Sequence, residues 1–151
     1  MDRSKFWTVW FNAGVIVSVI ILPIATIAIL RMTFNIWTNG PSIDNTNESL
    51  LEPMLPGIDV PFNEIGYYII TLAVCSIMHE LGHALAAARE DVQLFGLGIL
   101  IAFTIPIAYV HISSEQLSSL PLKNQLRVTC AGIWHNVVLA TVAATILMLS
   151  T

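Results

Sequence analysis

From Phe6 to Leu30 the chain runs for 25 residues without a charged side chain. A helix rising about 1.5 Å per residue crosses a hydrocarbon layer about 30 Å thick with roughly 20 such residues. The run is therefore long enough to span a bilayer, and it exceeds the roughly 7–15 apolar residues of a signal peptide. Asn12 and Pro23 lie within it, and membrane helices accommodate both. Three more uncharged stretches follow at Ile65–Met78, Val92–Val110 and Val128–Thr151. Only 11% of the 151 residues are charged, against about 25% in a soluble domain, which argues against a water-soluble enzyme or a disordered chain. Six Lys and Arg against ten Asp and Glu leave no basic surface for nucleic acid. Cys75 and Cys130 sit in apolar surroundings and form neither a disulfide framework nor zinc-finger spacing.

The runs are not alike. The second continues through His79-Glu80-Leu81-Gly82-His83 to Ala88 and closes at Arg89-Glu90-Asp91. The third contains Gly96, Gly98 and Pro106, too many helix breakers for a plain span, so a re-entrant or strand-like segment shielded by protein is expected. The fourth follows Ser118-Ser119 and Pro121, a helix entry. Thr33–Glu64 holds Asn39-Gly40-Pro41, Pro53, Pro56-Gly57 and Pro61 and reads as loop. Asn47-Glu48-Ser49 within it is a candidate glycosylation site. The expected fold is an all-α polytopic membrane protein with three transmembrane helices plus a re-entrant or strand-like hairpin. Its divisions are a cytosolic flank 1–5, a span 6–31, a lumenal loop 32–64, a span 65–89, a hairpin 92–111, a cytosolic loop 112–124 and a span 125–151.

Basic residues collect on cytosolic flanks, which sets the orientation. With the third run re-entrant and the N-terminus cytosolic, Arg3, Lys5, Arg89, Lys123 and Arg127 lie inside and Arg31 alone lies outside. If that run spans, the six divide evenly. The re-entrant arrangement is favoured, with the acidic loop and Asn47 on the lumenal side.

His79-Glu80-Leu81-Gly82-His83 fits H-E-x-x-H. Residues four apart share a helix face, so two imidazoles can grip one ion and the adjoining carboxylate can act as general base. A chance group of polar residues is the plain alternative. Against it stands the expense of ionisable groups in a bilayer, about 2.5–3.5 kcal/mol for each charged residue; a metal would give them a purpose. Ala84, Ala86, Ala87 and Ala88 let neighbouring helices come close. The Gly96–Pro106 segment either offers an open strand edge for an unwound substrate or simply packs on the catalytic helix.

Three stretches resemble the site-2 protease family of intramembrane zinc metalloproteases, in its animal form: Leu55-Pro56-Gly57-Ile58-Asp59-Val60-Pro61, His79 to Glu90, and Gln125 through Ala131-Gly132-Ile133-Trp134-His135-Asn136. H-E-x-x-H followed by A-G-x-x-x-N in an apolar helix is a specific combination. The resemblance implies Zn2+ held by His79 and His83, Glu80 as base, and Asn136 near the active site, bonding substrate or the oxyanion. It further implies membrane-spanning protein substrates, among them sterol regulatory element-binding proteins cut by regulated intramembrane proteolysis in lipid metabolism, and a Golgi location. His135, one residue from Asn136, is expected to pack rather than to ligate.

The family's third ligand is an aspartate in a Leu-Asp-Gly motif, which this sequence lacks. Its aspartates are Asp2, Asp44, Asp59 and Asp91, none in a membrane-buried position. A partial chain is therefore expected. His111 is a remote candidate substitute and otherwise an interfacial residue. The competing reading is a truncated, non-catalytic membrane scaffold. Orientation is open to test by glycosidase shift: Asn47 is expected to carry glycan, and glycosylation of sites engineered between Ser113 and Asn124 would overturn the re-entrant arrangement.

Overall fold

The computed structural model describes residues 3–39, 63–102 and 105–150. Asn47 and the Leu55–Pro61 segment lie outside the described residues. The elements are α1 (Arg3–Asn39), α2 (Ile65–Arg89), β1 (Leu94–Ala102), β2 (Ile105–Ile112), α3 (Ser114–Ser119) and α4 (Leu122–Ser150). Three helices are long and apolar enough to cross a membrane: Lys5–Thr38, Ile65–Arg89 and Leu122–Ser150. The architecture is that of an all-α polytopic membrane protein carrying one small hairpin.

Two boundaries differ from the sequence expectation. Helix α1 continues beyond Arg31 to Asn39, so residues 33–39 are helical where loop was expected. No glycine or proline interrupts this stretch before Gly40-Pro41. Thr33 and Thr38 also return their hydroxyl hydrogens to the carbonyls of Ile29 and Phe34, both at 2.9 Å. The interval expected as a loop at 112–124 contains α3, whose N-cap Ser113 accepts a bond from the Gln116 N–H. Helix α4 starts at Leu122, where the Pro121 carbonyl accepts from the Asn124 and Gln125 N–H groups.

The chain divides into two compact units, one of Met1–Ser18 with Gly66–Thr151 and one of Val19–Ile65. In the second, the α1 face is largely exposed and apolar, with Leu22, Ile24, Ile27, Ile29 and Leu30 open, as expected of a helix that meets lipid rather than protein. In the first, Phe11, Ala86, Ala87, Val92, Val128 and Ala131 form the core, with Trp7 and Trp10 against it.

The end of α2 is closed by a Schellman turn. The Val92 N–H donates to Ala87 O at 2.9 Å, and Asp91 takes a left-handed φ of 56° between them. Val92 thereby folds back onto the core beside Ala87. Among the four alanines that follow the histidines, Ala84, Ala86 and Ala87 are buried. Ala88 is exposed, a correction to the expectation that it too faces a neighbouring helix.

β1 pairs antiparallel with β2, Gly98 opposite Tyr109 and Leu97 opposite Val110. A bulge between Leu94 and Gly96 absorbs Phe95. Gly98 lies under the Tyr109 ring, where a Cβ would come within 2.5 Å of Cζ. The run rich in glycine and proline thus forms a hairpin, as the sequence led one to expect.

A polar knot ties three helices in the first unit. Arg127 donates from Nη1 to Glu90 Oε1 at 3.1 Å and from Nε to Asn12 Oδ1 at 2.9 Å, with Asn124 also accepting. Nearby, Arg89 Nη2 donates to Thr8 Oγ1 at 2.9 Å. Both partners of the ion pair are about nine-tenths buried. Removing one member of such a pair strands a buried charge, which typically costs about 3–5 kcal/mol. Arg127→Leu is expected to lower stability by that amount in detergent unfolding. Arg127→Met combined with Glu90→Gln should lose less than Arg127→Leu alone.

Candidate metal centre

Helix α2 is charge-free from Ile65 to Met78, so its length carries His79 and His83 within an apolar segment one turn apart. Their rings meet edge-on, centroids 4.8 Å apart, with the two Nε2 atoms at 3.1 Å. Helix α4 runs alongside and supplies the surroundings at four-residue intervals. Val128 O accepts from His83 Nδ1–H at 2.7 Å, and Asn136 Nδ2 lies 3.4 Å from His79 Nδ1. Between them is Gly132, where a Cβ would stand 2.5 Å from both Nε2 atoms. Gly82, on α2, similarly abuts Ala131 O, at 2.6 Å from a hypothetical Cβ. Any side chain at Gly132 would occupy the space the imidazoles share.

Two nitrogens about 2.0–2.1 Å from a tetrahedral ion stand about 3.3 Å apart. The observed 3.1 Å separation and the converging Nε2 atoms fit two ligands of such an ion. The His83 bond to Val128 adds the outer support usual for metal-binding imidazoles, a ring N–H held by a carbonyl. Among the described residues, no group of three or more His, Cys, Asp and Glu side chains is arranged to hold a metal. The chemistry in view is a pair of ligands, not a complete set.

Glu80 faces the hairpin. Its Oε2 accepts from the Val110 N–H at 3.0 Å, and Ser76, one turn earlier, accepts at Oγ from the Ala108 N–H at 2.8 Å. Both amides lie on the edge of β2 away from β1, and α2 satisfies them. Glu80 and His83 together line a cavity of about 260 Å³ that also touches Ile112, Leu117 and Thr129. A carboxylate and an imidazole thus open on one space large enough for several waters.

Other residues singled out from the sequence lie elsewhere. His135 is buried, donates from Nδ1 to Ala131 O at 2.8 Å, and packs near the rings of Trp10 and Phe11. His111 is exposed on β2 beside the Phe95 ring, 5.2 Å between centroids. Asp91 is exposed in the Schellman turn. Sequence reasoning did not single out Ser76, the Val110 amide or the Val128 carbonyl. Ser76 had one signal, its place four residues before Glu80 on the same face. The two backbone groups had none.

The pattern of peptidase family M50 matches residues 67–151 of this chain, which include α2 from its first turn and all of the hairpin and α4. The membrane-bound transcription factor site-2 protease homolog of Arabidopsis thaliana is 35% identical over 130 residues, 86% of this chain and 25% of the relative. The chain spans about a quarter of that relative's length. No solved structure matches it. With the paired imidazoles and the glycine between them on the matched stretch, the chain belongs to peptidase family M50, among the site-2 proteases.

Proposed function

We propose that this chain carries the H-E-x-x-H portion of an intramembrane zinc metalloendopeptidase. The observation that supports the reading most is the convergence of His79 and His83 Nε2 at 3.1 Å over a glycine, beside a cavity that Glu80 shares. His79 and His83 would hold Zn2+ through Nε2, with a further ligand from outside the described residues. Zinc in such a site supplies Lewis acidity, making water acidic near neutral pH and polarising a carbonyl.

The rest of the chemistry belongs to the chain's own groups. Glu80 takes a proton from water at Oε1, because Oε2 is engaged by the Val110 amide. It then returns that proton to the leaving nitrogen of the cut peptide. The hairpin holds the base in place and walls the cavity on one side. Asn136 stands beside the pair. A substrate helix must unwind to expose its peptide bond, and the outer edge of β1 has no strand partner among the described residues to prevent its pairing with the unwound stretch.

In this reading the substrates are membrane-spanning proteins, membrane-tethered transcription factors such as the sterol regulatory element-binding proteins, cut within the bilayer of the Golgi. The N-terminus, the end of α2 and the α3 region face the cytosol, and Asn47 faces the lumen. A non-catalytic scaffold is the second reading, favoured by the lack of a three-residue metal group among the described residues. The two separate on one experiment. Membranes containing the full-length protein are expected to release a tethered transcription-factor fragment in a zinc-dependent manner, and Glu80→Gln is expected to reduce release by at least about 100-fold. Its zinc content should be unchanged. Undiminished release would overturn the base assignment, and no release by the unaltered protein would favour the scaffold.

A further inference from the structure

The His83 ring has a fixed hydrogen-bond direction, because Val128 O can only accept; Nδ1 carries the proton and a neutral ring keeps its lone pair on Nε2. The 3.1 Å contact between the two Nε2 atoms is then a hydrogen bond only if His79 is protonated on Nε2. That leaves His79 Nδ1 as the acceptor for the Asn136 Nδ2–H at 3.4 Å. The result is a one-way series of donors from Asn136 to His79 to His83 to the Val128 carbonyl. It strands Asn136 Oδ1, which is buried without a hydrogen-bond partner.

A metal ion requires a lone pair on both Nε2 atoms. His83 already provides one. His79 provides one only in its other tautomer, with the proton relocated by exchange with water from Nε2 to Nδ1. The Nδ1–H would then point at the Asn136 NH2, donor against donor. A half-turn of the amide about Cβ–Cγ removes the conflict, since it brings Oδ1 to Nδ1–H and gives the stranded carbonyl its partner. The amide has the right reach for this, as its two ends are nearly equal in size.

Resting on the metalloprotease reading, we infer that Asn136 is a positioning residue: its side-chain carbonyl holds His79 in the metal-binding tautomer, as the Val128 carbonyl holds His83. This differs from the sequence expectation that the amide bonds substrate or an oxyanion, for which the N–H end would be needed. The two roles separate on Asn136→Asp, which keeps an acceptor and removes the donor, and on Asn136→Leu, which removes both.

The experiment uses the full-length protein in detergent micelles with 15N-labelled histidine, titrated with Zn2+. His79 is expected to be protonated on Nε2 without metal and on Nδ1 at saturation, with His83 protonated on Nδ1 throughout. Asn136→Leu is expected to weaken zinc binding by about 10–100-fold, and Asn136→Asp to bind within about threefold of the unaltered chain or more tightly. An unchanged His83–Val128 signal certifies the fold of each variant, and a variant that loses it is replaced by Asn136→Val. Unimpaired zinc binding in the leucine variant would overturn the inference. So would equal losses in both variants, or a zinc-loaded His79 without a proton on Nδ1. An unaltered full-length protein that takes up no zinc would overturn this inference and the metalloprotease reading together.

Discussion

Helices α2 and α4 lie close because the positions between them carry almost no side chain. Gly82 meets the Ala131 carbonyl and Gly132 meets the two imidazoles, each at a distance that excludes even a methyl group. In a bilayer, where lipid tails compete equally for apolar surface, such close backbone approach is what makes one helix prefer another. The same approach brings α4 carbonyls and amides within reach of α2 histidines. Packing and site are one feature here: a larger residue at either glycine would part the helices and empty the polar contacts together.

The remaining polar groups follow from the same confinement. Buried donors and acceptors without water must find partners in the protein, and they do so across elements. Arg127 reaches Glu90 and Asn12, Arg89 reaches Thr8, and Ser76 and Glu80 take the free amides of β2. Thr26, Thr33, Thr38, Thr141 and Thr145 instead turn their hydroxyls back to carbonyls of their own helices, which lets them face an apolar medium without a partner helix. The long helices can therefore leave most of their apolar side chains open while most of their polar groups stay satisfied, with Trp10 Nε1, Arg89 Nε, Trp134 Nε1 and Asn136 Oδ1 the buried side-chain atoms that lack a hydrogen-bond partner among the described residues.

Much of this was legible in the sequence where a rule acts locally. Charge-free length marked the three long helices, Gly96, Gly98 and Pro106 marked the hairpin, and the spacing of His79 and His83 put them on one face. What was not legible depends on partners distant in the chain. Nothing in Val128 distinguishes its carbonyl from its neighbours until α4 is laid beside His83. Glu80 sits next to His79 in sequence, yet its carboxylate is held by a strand amide 30 residues away. Ala88 looked like the other alanines, and only the orientation of α2 decides that it faces outward. The end of α1 lies beyond its expected place because the charge at Arg31 bounds the apolar run without ending the helix: arginine is a good helix former, and the sequence has no glycine or proline between Pro23 and Asn39.

The seating of β2 on α2 has a geometric corollary. Ser76 and Glu80 are four helical residues apart, a rise of about 6.0 Å. The amides of Ala108 and Val110 are two strand residues apart, about 6.7 Å. Teeth of nearly equal pitch mesh for two bonds and drift out of step beyond that. Between them lies Tyr109, whose amide faces the opposite way, so a shift by one residue would break both contacts, and a shift by two in one direction would set Pro106, which has no N–H, against Ser76. The hairpin is thus keyed to α2 like a notch on a slide rather than free to glide along it, and the direction of the Glu80 carboxylate is fixed by that notch.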